Sequence, residues 1–369
     1  MKKLLAWLKK ETVFTVSLAA ALLSFLLAAP GMHNIEGINT TTLLMLFALM
    51  TVVAGLRLAG VFDWLGRALA KRVTTLRALA MVLVAVCFVL AQAATNDVAL
   101  ITLVPFTLML MAGEDEKHVI LTVVLETIAA NLGSMVTPIG NPQNLYLYSS
   151  GLMGALDFLI LTGPYALVSL VLMLALCLLI PASPVRAGSG ETVVIPRQKA
   201  VLYAVLGVAA LLGVANVLPA WAAALIVLLG TLALDRPVLR MVDFTLLGTF
   251  VCFFVFVSSI KACAPLRTWL EGLMAASPFL VSLASSQIIS NVPACLLLSP
   301  FTDNAAAVML GVDLGGLGTL VASLASLISF RLYGQSATAQ KGRFFGVFTV
   351  LNVAFLAVML VMAKLLGAW

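Results

Sequence analysis

The stretch Gln92-Ala-Ala-Thr95-Asn96-Asp97 interrupts an apolar segment that runs from residue 78 to residue 112. Each side of the break has about 10 to 17 residues, and at about 1.5 Å per residue such a helix is short for a hydrocarbon layer of about 30 Å. The segment 78–112 is therefore predicted to be a re-entrant helical hairpin with these polar residues at its tip. Exposed backbone at that depth is tolerated only where it lines a cavity within the protein.

A second apolar segment, residues 277–301, has a similar polar break and predicts a second hairpin. Residues of the two hairpins match at a separation of 195, and residues downstream of them match at a separation of 185. The first set pairs Gln92 with Gln287, Thr95 with Ser290, Asn96 with Asn291, Pro105 with Pro300 and Phe106 with Phe301. The second set pairs Leu132 with Leu317, Gly133 with Gly318, Ser134 with Thr319, Leu147 with Leu332 and Tyr148 with Tyr333. The two registers predict an internal repeat.

The composition places these hairpins in a membrane. The 369 residues are 63% hydrophobic and 10% charged, whereas a soluble domain has about 25% charged residues. Apolar residues come in unbroken blocks and do not alternate with polar ones, which excludes an outer-membrane β-barrel. The chain is therefore predicted to be an all-α polytopic membrane protein, without a soluble domain.

About nine spanning helices are predicted in addition to the two hairpins. Two of them, 119–148 and 307–330, contain glycine-rich or proline-rich stretches and are expected to be unwound in the middle. The nine segments are 12–30, 40–60, 119–148, 157–181, 200–216, 219–235, 244–260, 307–330 and 344–366. This arrangement gives a first repeat at 1–199, a linker helix at 200–216 and a second, inverted repeat at 217–369.

The basic residues support this topology. With the N-terminus in the cytoplasm, all of the 21 Lys and Arg residues except Lys261, Arg267 and Lys364 lie on the cytoplasmic side. The net charge of +6 is therefore interpreted as a topology signal and a contact with anionic lipid, so that no nucleic-acid partner is expected.

The hairpin tips are the first candidate ion-binding elements. A helix that stops and restarts leaves free carbonyl groups on one arm and free amide groups on the other. Thr95, Asn96, Ser290 and Asn291 add neutral side-chain oxygens and amides, which suit Na⁺ or an oxyanion. The alternative is that these residues only cap the hairpin arms.

The two unwound stretches are expected to face the tips. In the first, two prolines and two glycines interrupt the helix, and Thr137, Gly140, Asn141 and Asn144 are the candidate ligands. The second stretch has no proline but many small hydroxyl residues. Its candidates are Gly318, Thr319, Ser323 and Ser326, for which close helix packing is an alternative role.

Three acidic residues fall within membrane segments: Asp97, Glu126 and Asp313. An ionised acid at the centre of a bilayer costs about 2.5 to 3.5 kcal/mol, so each needs a partner, a water-filled cavity or a proton. Asp97, at a hairpin tip, is the leading candidate for a coupling acid that binds Na⁺ or H⁺. Glu126 and Asp313 are further candidates, and a structural role is the alternative for all three.

These motifs resemble the ion transporter superfamily, which includes citrate transporters, divalent anion:sodium symporters, arsenite pumps and a class of Na⁺/H⁺ antiporters. The resemblance covers the chain from about residue 40 onward. It is carried by Thr95 to Leu100 with Pro105, Ser134 to Asn144, Ser290 to Pro293 and Leu314 to Thr319. It implies a short bacterial inner-membrane member that forms a homodimer, with a scaffold domain and a transport domain that moves as an elevator.

The sequence departs from the carboxylate symporters at both hairpins. Their motif resembles Ser-Asn-Thr, whereas the third positions here are Asp97 and Val292. The Asn-Asp pair followed by small residues is similar to the arsenite pumps instead, and arsenite at pH 7 is largely a neutral trihydroxy acid. The fixed charge of Asp97 would repel an anion unless it is neutralised.

The function expected from these observations is secondary active transport of a small anion or oxyacid, such as arsenite, antimonite or a carboxylate, coupled to H⁺ or Na⁺. A Na⁺/H⁺ antiporter of the same superfamily is an alternative, and an ion channel is an alternative of a different class. No Ser/His/Asp, Ser/Lys or metal constellation indicates an enzyme, and no cofactor is expected.

Overall fold

A computed structural model describes residues 11–26, 28, 30–62, 64, 68, 73–184 and 196–368. These residues form seventeen α-helices and three short 3-10 turns, without a β-strand. The all-α prediction is confirmed. The predicted cytoplasmic N-terminus lies outside the described residues. The helices are α1 (Thr12–Ser24), α2 (Met32–Glu36), α3 (Thr40–Leu58), α4 (Leu76–Ala94), α5 (Asn96–Leu110), α6 (Glu116–Ser134), α7 (Pro142–Ser149), α8 (Ala155–Leu176), α9 (Arg197–Val214), α10 (Ala220–Leu234), α11 (Phe244–Ala262), α12 (Ala264–Ala276), α13 (Pro278–Ile289), α14 (Asn291–Leu298), α15 (Ala305–Leu314), α16 (Leu324–Tyr333) and α17 (Lys341–Leu365).

Six helical segments of the described chain are long and apolar enough to cross a membrane, or seven if α12 and α13, which meet at a bend of 114°, are one broken span. Five of the nine predicted spans are among these segments, and the other four fall outside this criterion of length and composition. Helices α1 and α10 have 13 and 15 residues. The two predicted unwound helices are each divided into two pieces, of 19 and 8 residues in the first and of 10 and 10 residues in the second. The six segments are Met32–Leu58, Leu76–Ala94, Ala155–Leu179, Arg197–Val214, Phe244–Ala262 and Lys341–Leu365.

Two helical hairpins form at the predicted places. Helices α4 and α5 meet at Thr95, and helices α13 and α14 meet at Ser290. The arm α4 has 19 residues and is long enough to cross a membrane alone, so the prediction of two short arms is wrong for it. The helix is longer than expected because the Thr75 hydroxyl caps its first turn by accepting from the Ala78 N–H.

Two further helices are interrupted as predicted. Helix α6 ends at Ser134, and the chain is non-helical until Asn141 caps α7, with Pro142 at the first helical position. Helix α15 ends at Leu314, and the chain is non-helical until Ser323, the N-cap of α16. This second break contains Gly318 at φ +102°, a conformation that glycine adopts without a steric penalty.

The hairpins and the interrupted helices pack together across the two halves of the sequence. The first hairpin packs against α6 of its own half and α16 of the other half. The second hairpin packs against α15 of its own half and α7 of the other. The two hairpin tips and the breaks of the two interrupted helices therefore lie in one central region.

Candidate functional site

Each hairpin tip is hydrogen-bonded to the break of an interrupted helix. The backbone N–H of Asn96, just after the first tip, donates to the carbonyl oxygen of Gly140 at 3.0 Å. The N–H of Asn291, just after the second tip, donates to the carbonyl oxygen of Ala322 at 3.0 Å. Two of the amide groups that the tips would leave free are thus satisfied by the breaks.

A second bond connects each tip with its break. The Thr137 hydroxyl donates to the carbonyl oxygen of Gln92 at 2.6 Å, and the Thr319 hydroxyl donates to that of Gln287 at 3.2 Å. Thr137 and Thr319 therefore occupy matched positions of the two breaks, 182 residues apart in the sequence. The separation of 185 predicted for this part of the repeat is wrong. Gly133 lies within α6, whereas Gly318 lies within the second break, so a local Leu-Gly likeness produced the false match.

Each interrupted helix also contacts the break of the other one. Asn131, near the end of α6, accepts from the Ser323 hydroxyl at 2.9 Å and donates from Nδ2 to Ser326 Oγ at 3.4 Å. Asp313, near the end of α15, accepts at Oδ1 from Gln143 Nε2 at 2.9 Å and from Asn141 Nδ2 at 3.3 Å. Asn131 and Gln143 are not among the residues predicted from the sequence, although they complete these contacts.

The hinge residues of both hairpins have an unusual backbone conformation. Thr95 has φ 75° and ψ 150°, and Ser290 has φ 73° and ψ 156°. Non-glycine residues rarely adopt this region, and each such residue costs about 1–3 kcal/mol unless its surroundings hold it. The two tips therefore share the same costly geometry at matched positions of the two hairpins.

The side chains of Asn96 and Asn291, the first residues of α5 and α14, each bond to the backbone N–H of the following residue. The Asn96 Oδ1 accepts from the Asp97 N–H at 2.9 Å, and the Asn291 Oδ1 accepts from the Val292 N–H at 2.9 Å. The amide nitrogen of Asn96 also lies 3.5 Å from Asn131 Oδ1. Both asparagines are buried, with 5% of their surface exposed.

A small cavity of about 170 Å³ lies beside the first hairpin tip. It brings together three of the predicted site residues, Thr95, Asp97 and Asn141, and its wall also includes Arg57 and Asp243. Asp97 is partly buried, and its Oδ1 has no hydrogen-bond partner in the described part of the chain. The cavity is smaller than the roughly 300–1,000 Å³ of drug-sized ligand sites and fits a substrate of a few atoms.

The other candidates lie outside this cavity. Thr137, Gly140, Gly318, Thr319 and Ser323 belong to the two breaks, Asn144 and Ser326 lie in the first turn of the helices that follow them, and Ser290 and Asn291 belong to the second tip. Glu126 is fully buried within α6, where its Oε1 accepts from the Thr107 hydroxyl at 2.6 Å. This bond connects α6 with an arm of the first hairpin.

The architecture is that of a multi-pass membrane transporter, and the comparisons with known proteins agree. Residues 4–314 match the model of the citrate transporter family. The chain belongs to that family.

Two relatives match most of the chain. An inner membrane protein of Escherichia coli, YbiR, is 33% identical over 302 residues, which are 80% of each chain. A transporter of Methanocaldococcus jannaschii is 29% identical over 338 residues, 88% of this chain and 89% of the relative. A silicon efflux transporter of Oryza sativa subsp. japonica is 38% identical over 139 residues, 36% of this chain and 28% of the relative.

Proposed function

We propose that the chain is a secondary active transporter that moves a small uncharged oxyacid, of the arsenite or antimonite type, across the cytoplasmic membrane. The observation that carries this proposal is the cavity of about 170 Å³ at the first tip, which Asp97 lines together with Thr95 and Asn141. The hydroxyl group of a neutral acid can donate to a carboxylate that lines such a cavity.

The charges around the cavity favour a neutral substrate. Asp97 and Asp243 both line it, with Arg57 as the basic residue of the wall. A small carboxylate would meet two acidic side chains in a confined space, and like charges at such distances repel. The silicon efflux transporter supports the same substrate class, because silicon dissolved at neutral pH is an uncharged hydroxylated acid.

A carboxylate substrate is the second candidate. The family model that matches the chain is that of a citrate transporter, and Arg57 in the cavity wall is a group that binds carboxylates. An anion would then need Asp97 to be neutralised by a proton or by Na⁺ during transport.

The same need makes Asp97 the proposed coupling acid. A carboxylate within a membrane segment is costly when ionised, so a coupling cation or a proton that neutralises it is favoured. Binding or release of H⁺ or Na⁺ at Asp97 would then accompany each transport cycle. A Na⁺/H⁺ antiporter would use the same acid without an oxyacid substrate.

The two halves support a mechanism of alternating access. Their matched contacts at the tips suit two inverted repeats whose broken helices meet at one site. In the proposed arrangement the hairpins and interrupted helices form a transport domain, which moves as an elevator against a scaffold in a homodimer, and the N-terminus is cytoplasmic.

Flux in proteoliposomes tests this function. The purified protein is reconstituted, and uptake of arsenite, silicic acid, citrate and succinate is compared under an imposed proton gradient and then a sodium gradient, with empty liposomes as the control. Saturable oxyacid flux that needs one of the gradients is expected. Sodium-dependent carboxylate flux with inert oxyacids would overturn the substrate assignment, and unitary currents in a planar bilayer would indicate a channel.

A further inference from the structure

A second polar centre surrounds the carboxyl group of Asp313, which does not line the cavity, and Asn141 is the residue that contributes to both. Asp313 is 2% exposed, and Gln143 and Asn144 are fully buried. Gln143 and Asn141 both donate to the same carboxylate oxygen, Oδ1, and the Asn144 amide is a third neighbour of this carboxyl group. The centre therefore joins the end of α15 to the start of α7.

Three buried oxygens of this centre receive no hydrogen bond from the residues that the structure describes. They are Asp313 Oδ2, Gln143 Oε1 and Asn144 Oδ1. Buried polar groups in folded proteins are nearly always paired, because an unsatisfied acceptor loses the hydrogen bonds that water would have made. Three unpaired acceptors on three neighbouring residues indicate that a positively charged group or a donor completes the centre.

The orientation of the two amide groups is fixed by their nitrogens. Gln143 Nε2 donates to Asp313 Oδ1, and Asn144 Nδ2 donates to the carbonyl oxygens of Met135 and Thr137, both at 3.3 Å. Rotating either amide would place its oxygen against another oxygen. The unpaired atoms are therefore acceptors, and a change of rotamer does not turn them into donors.

The groups that donate to Asp313 are the neutral amides of Gln143, Asn141 and Asn144, which do not balance its charge. Asp313 also lies in the last turn of α15, where the helix end carries a partial negative charge that favours a cation.

The matched position of the other half gives an internal comparison. Asn131 lies 182 residues before Asp313 and contacts Ser323 and Ser326, the counterparts of Asn141 and Asn144. This amide is neutral, and both of its polar atoms have partners. The centre around Asp313 therefore has a carboxylate and unpaired oxygens, whereas the matched centre around Asn131 has neither. One carboxylate at one of the two centres calls for a single positive charge.

We propose that Asp313, Gln143 and Asn144 form a binding site for one monovalent metal cation, with Na⁺ as the ion to test. Carboxylate and amide oxygens are the ligands that hard cations prefer, and one carboxylate matches one unit of charge. Because the ligands come from α7 and α15, the bound cation stabilises the contact between the two halves. The site is separate from Asp97 at the hairpin tip, and only its role as a coupling site rests on the proposed function.

Thermal unfolding of the full chain in lipid nanodiscs tests this site without a transport assay. The melting temperature is measured against NaCl concentration at fixed pH, with choline chloride keeping the ionic strength constant. We expect a saturable rise with Na⁺ in the native protein and loss of that rise in Asp313→Asn, which keeps the size of the side chain. Glu271→Gln removes an acid on the exposed face of α12 and is the control, in which the rise is retained.

Three results would overturn the site. A Na⁺ response that persists in Asp313→Asn but disappears in Asp97→Asn places the ion at the hairpin tip. A native protein without a Na⁺ response, whose stability changes with pH unless Asp313 is replaced, shows that the carboxyl group carries a proton. If Asp313→Asn does not fold, Gln143→Ala removes one of the proposed ligand oxygens and is expected to raise the half-saturating Na⁺ concentration about tenfold; an unchanged or lower value contradicts the site.

The two proposals fail separately. Na⁺ binding that depends on Asp313, without any oxyacid flux, overturns the proposed substrate but not the cation site. Oxyacid flux in a protein without a saturable Na⁺ response leaves the transport function standing and overturns the site.

Discussion

Ser323 Oγ donates a hydrogen bond of 2.9 Å to Oδ1 of Asn131, although 192 residues separate them in the chain. Asn131 lies in α6, before the break of the first interrupted helix, and Ser323 is the N-cap of α16, after the break of the second. The reciprocal bond runs from Asn141 to Asp313. Since each half supplies a partner to the other, the central region can exist only when both halves are folded against each other.

Replacing Asn131 by alanine is expected to lower the free energy of unfolding by about 1–3 kcal/mol, because the buried Ser323 hydroxyl loses its acceptor. Reversible unfolding of the reconstituted protein measures this change. Ser323→Ala and the double variant complete a mutant cycle. The two single effects should not add, and strict additivity would mean that this hydrogen bond does not connect the halves.

The strained hinges lead to a second prediction. Thr95→Gly removes a side chain from φ 75°, ψ 150°, and is expected to stabilise the protein by about 1 kcal/mol while reducing transport, since the tip is no longer held in one shape. Ser290→Gly is the matched variant, with a smaller gain because the Ser290 hydroxyl lies 3.4 Å from two acceptors. Melting temperature and flux are measured on both. A loss of stability in Thr95→Gly contradicts the argument.

The hairpin tips could be predicted because a polar break inside a long apolar run is costly in a membrane unless the backbone turns there within the protein. The first break was equally clear, since Pro138, Gly140 and Pro142 cannot continue a helix. The second break was less clear, because its stretch contains glycines but no proline. The separation of 182 residues between matched positions could not be predicted in the same way. The two interrupted helices share a Leu-Gly pair at a separation of 185, whereas the matched roles of Thr137 and Thr319 depend on their hydrogen bonds in the structure.

The contacts of Asn131 and Gln143 could not be predicted in this way. Each is a single amide within a longer helical or turn pattern, and nothing in the local sequence indicates a partner in the other half. Such contacts depend on how the interrupted helices cross, which is a property of the tertiary packing. The length of α1 was overestimated for a related reason, because an apolar run can continue into turns after the helix has ended.

Asn96→Ala and Asn291→Ala are both expected to weaken substrate or ion binding. Each removes a side-chain oxygen that accepts from the second N–H of its helix, so the geometry of the tip is loosened. The half-saturating concentrations for substrate and for Na⁺ should rise in both variants. Normal flux in both would reduce these residues to helix caps.

Gly140→Ala is expected to destabilise the first break by about 1–3 kcal/mol. A Cβ atom there would lie 2.0 Å from the backbone oxygen of Ser134, so the chain would have to move and the bond from the Asn96 N–H to the Gly140 oxygen would be disturbed. Gly346→Ala is the matched control, because a Cβ atom on that exposed face of α17 meets nothing within 4 Å. Equal melting temperatures for the two variants would refute the role of Gly140.

Asp97→Asn is expected to abolish coupled transport and leave the fold intact. The amide has nearly the size of the carboxyl group and still fills its place in the cavity beside Thr95 and Asp243, but it cannot bind and release a proton or neutralise a cation. The measurement compares flux with and without the driving gradient, together with the melting temperature. Glu271→Gln, on the exposed face of α12, is the control for loss of an acid outside the site. Gradient-driven flux that survives in Asp97→Asn would exclude this residue as the coupling acid, and Asp313 would then be the acid to replace next.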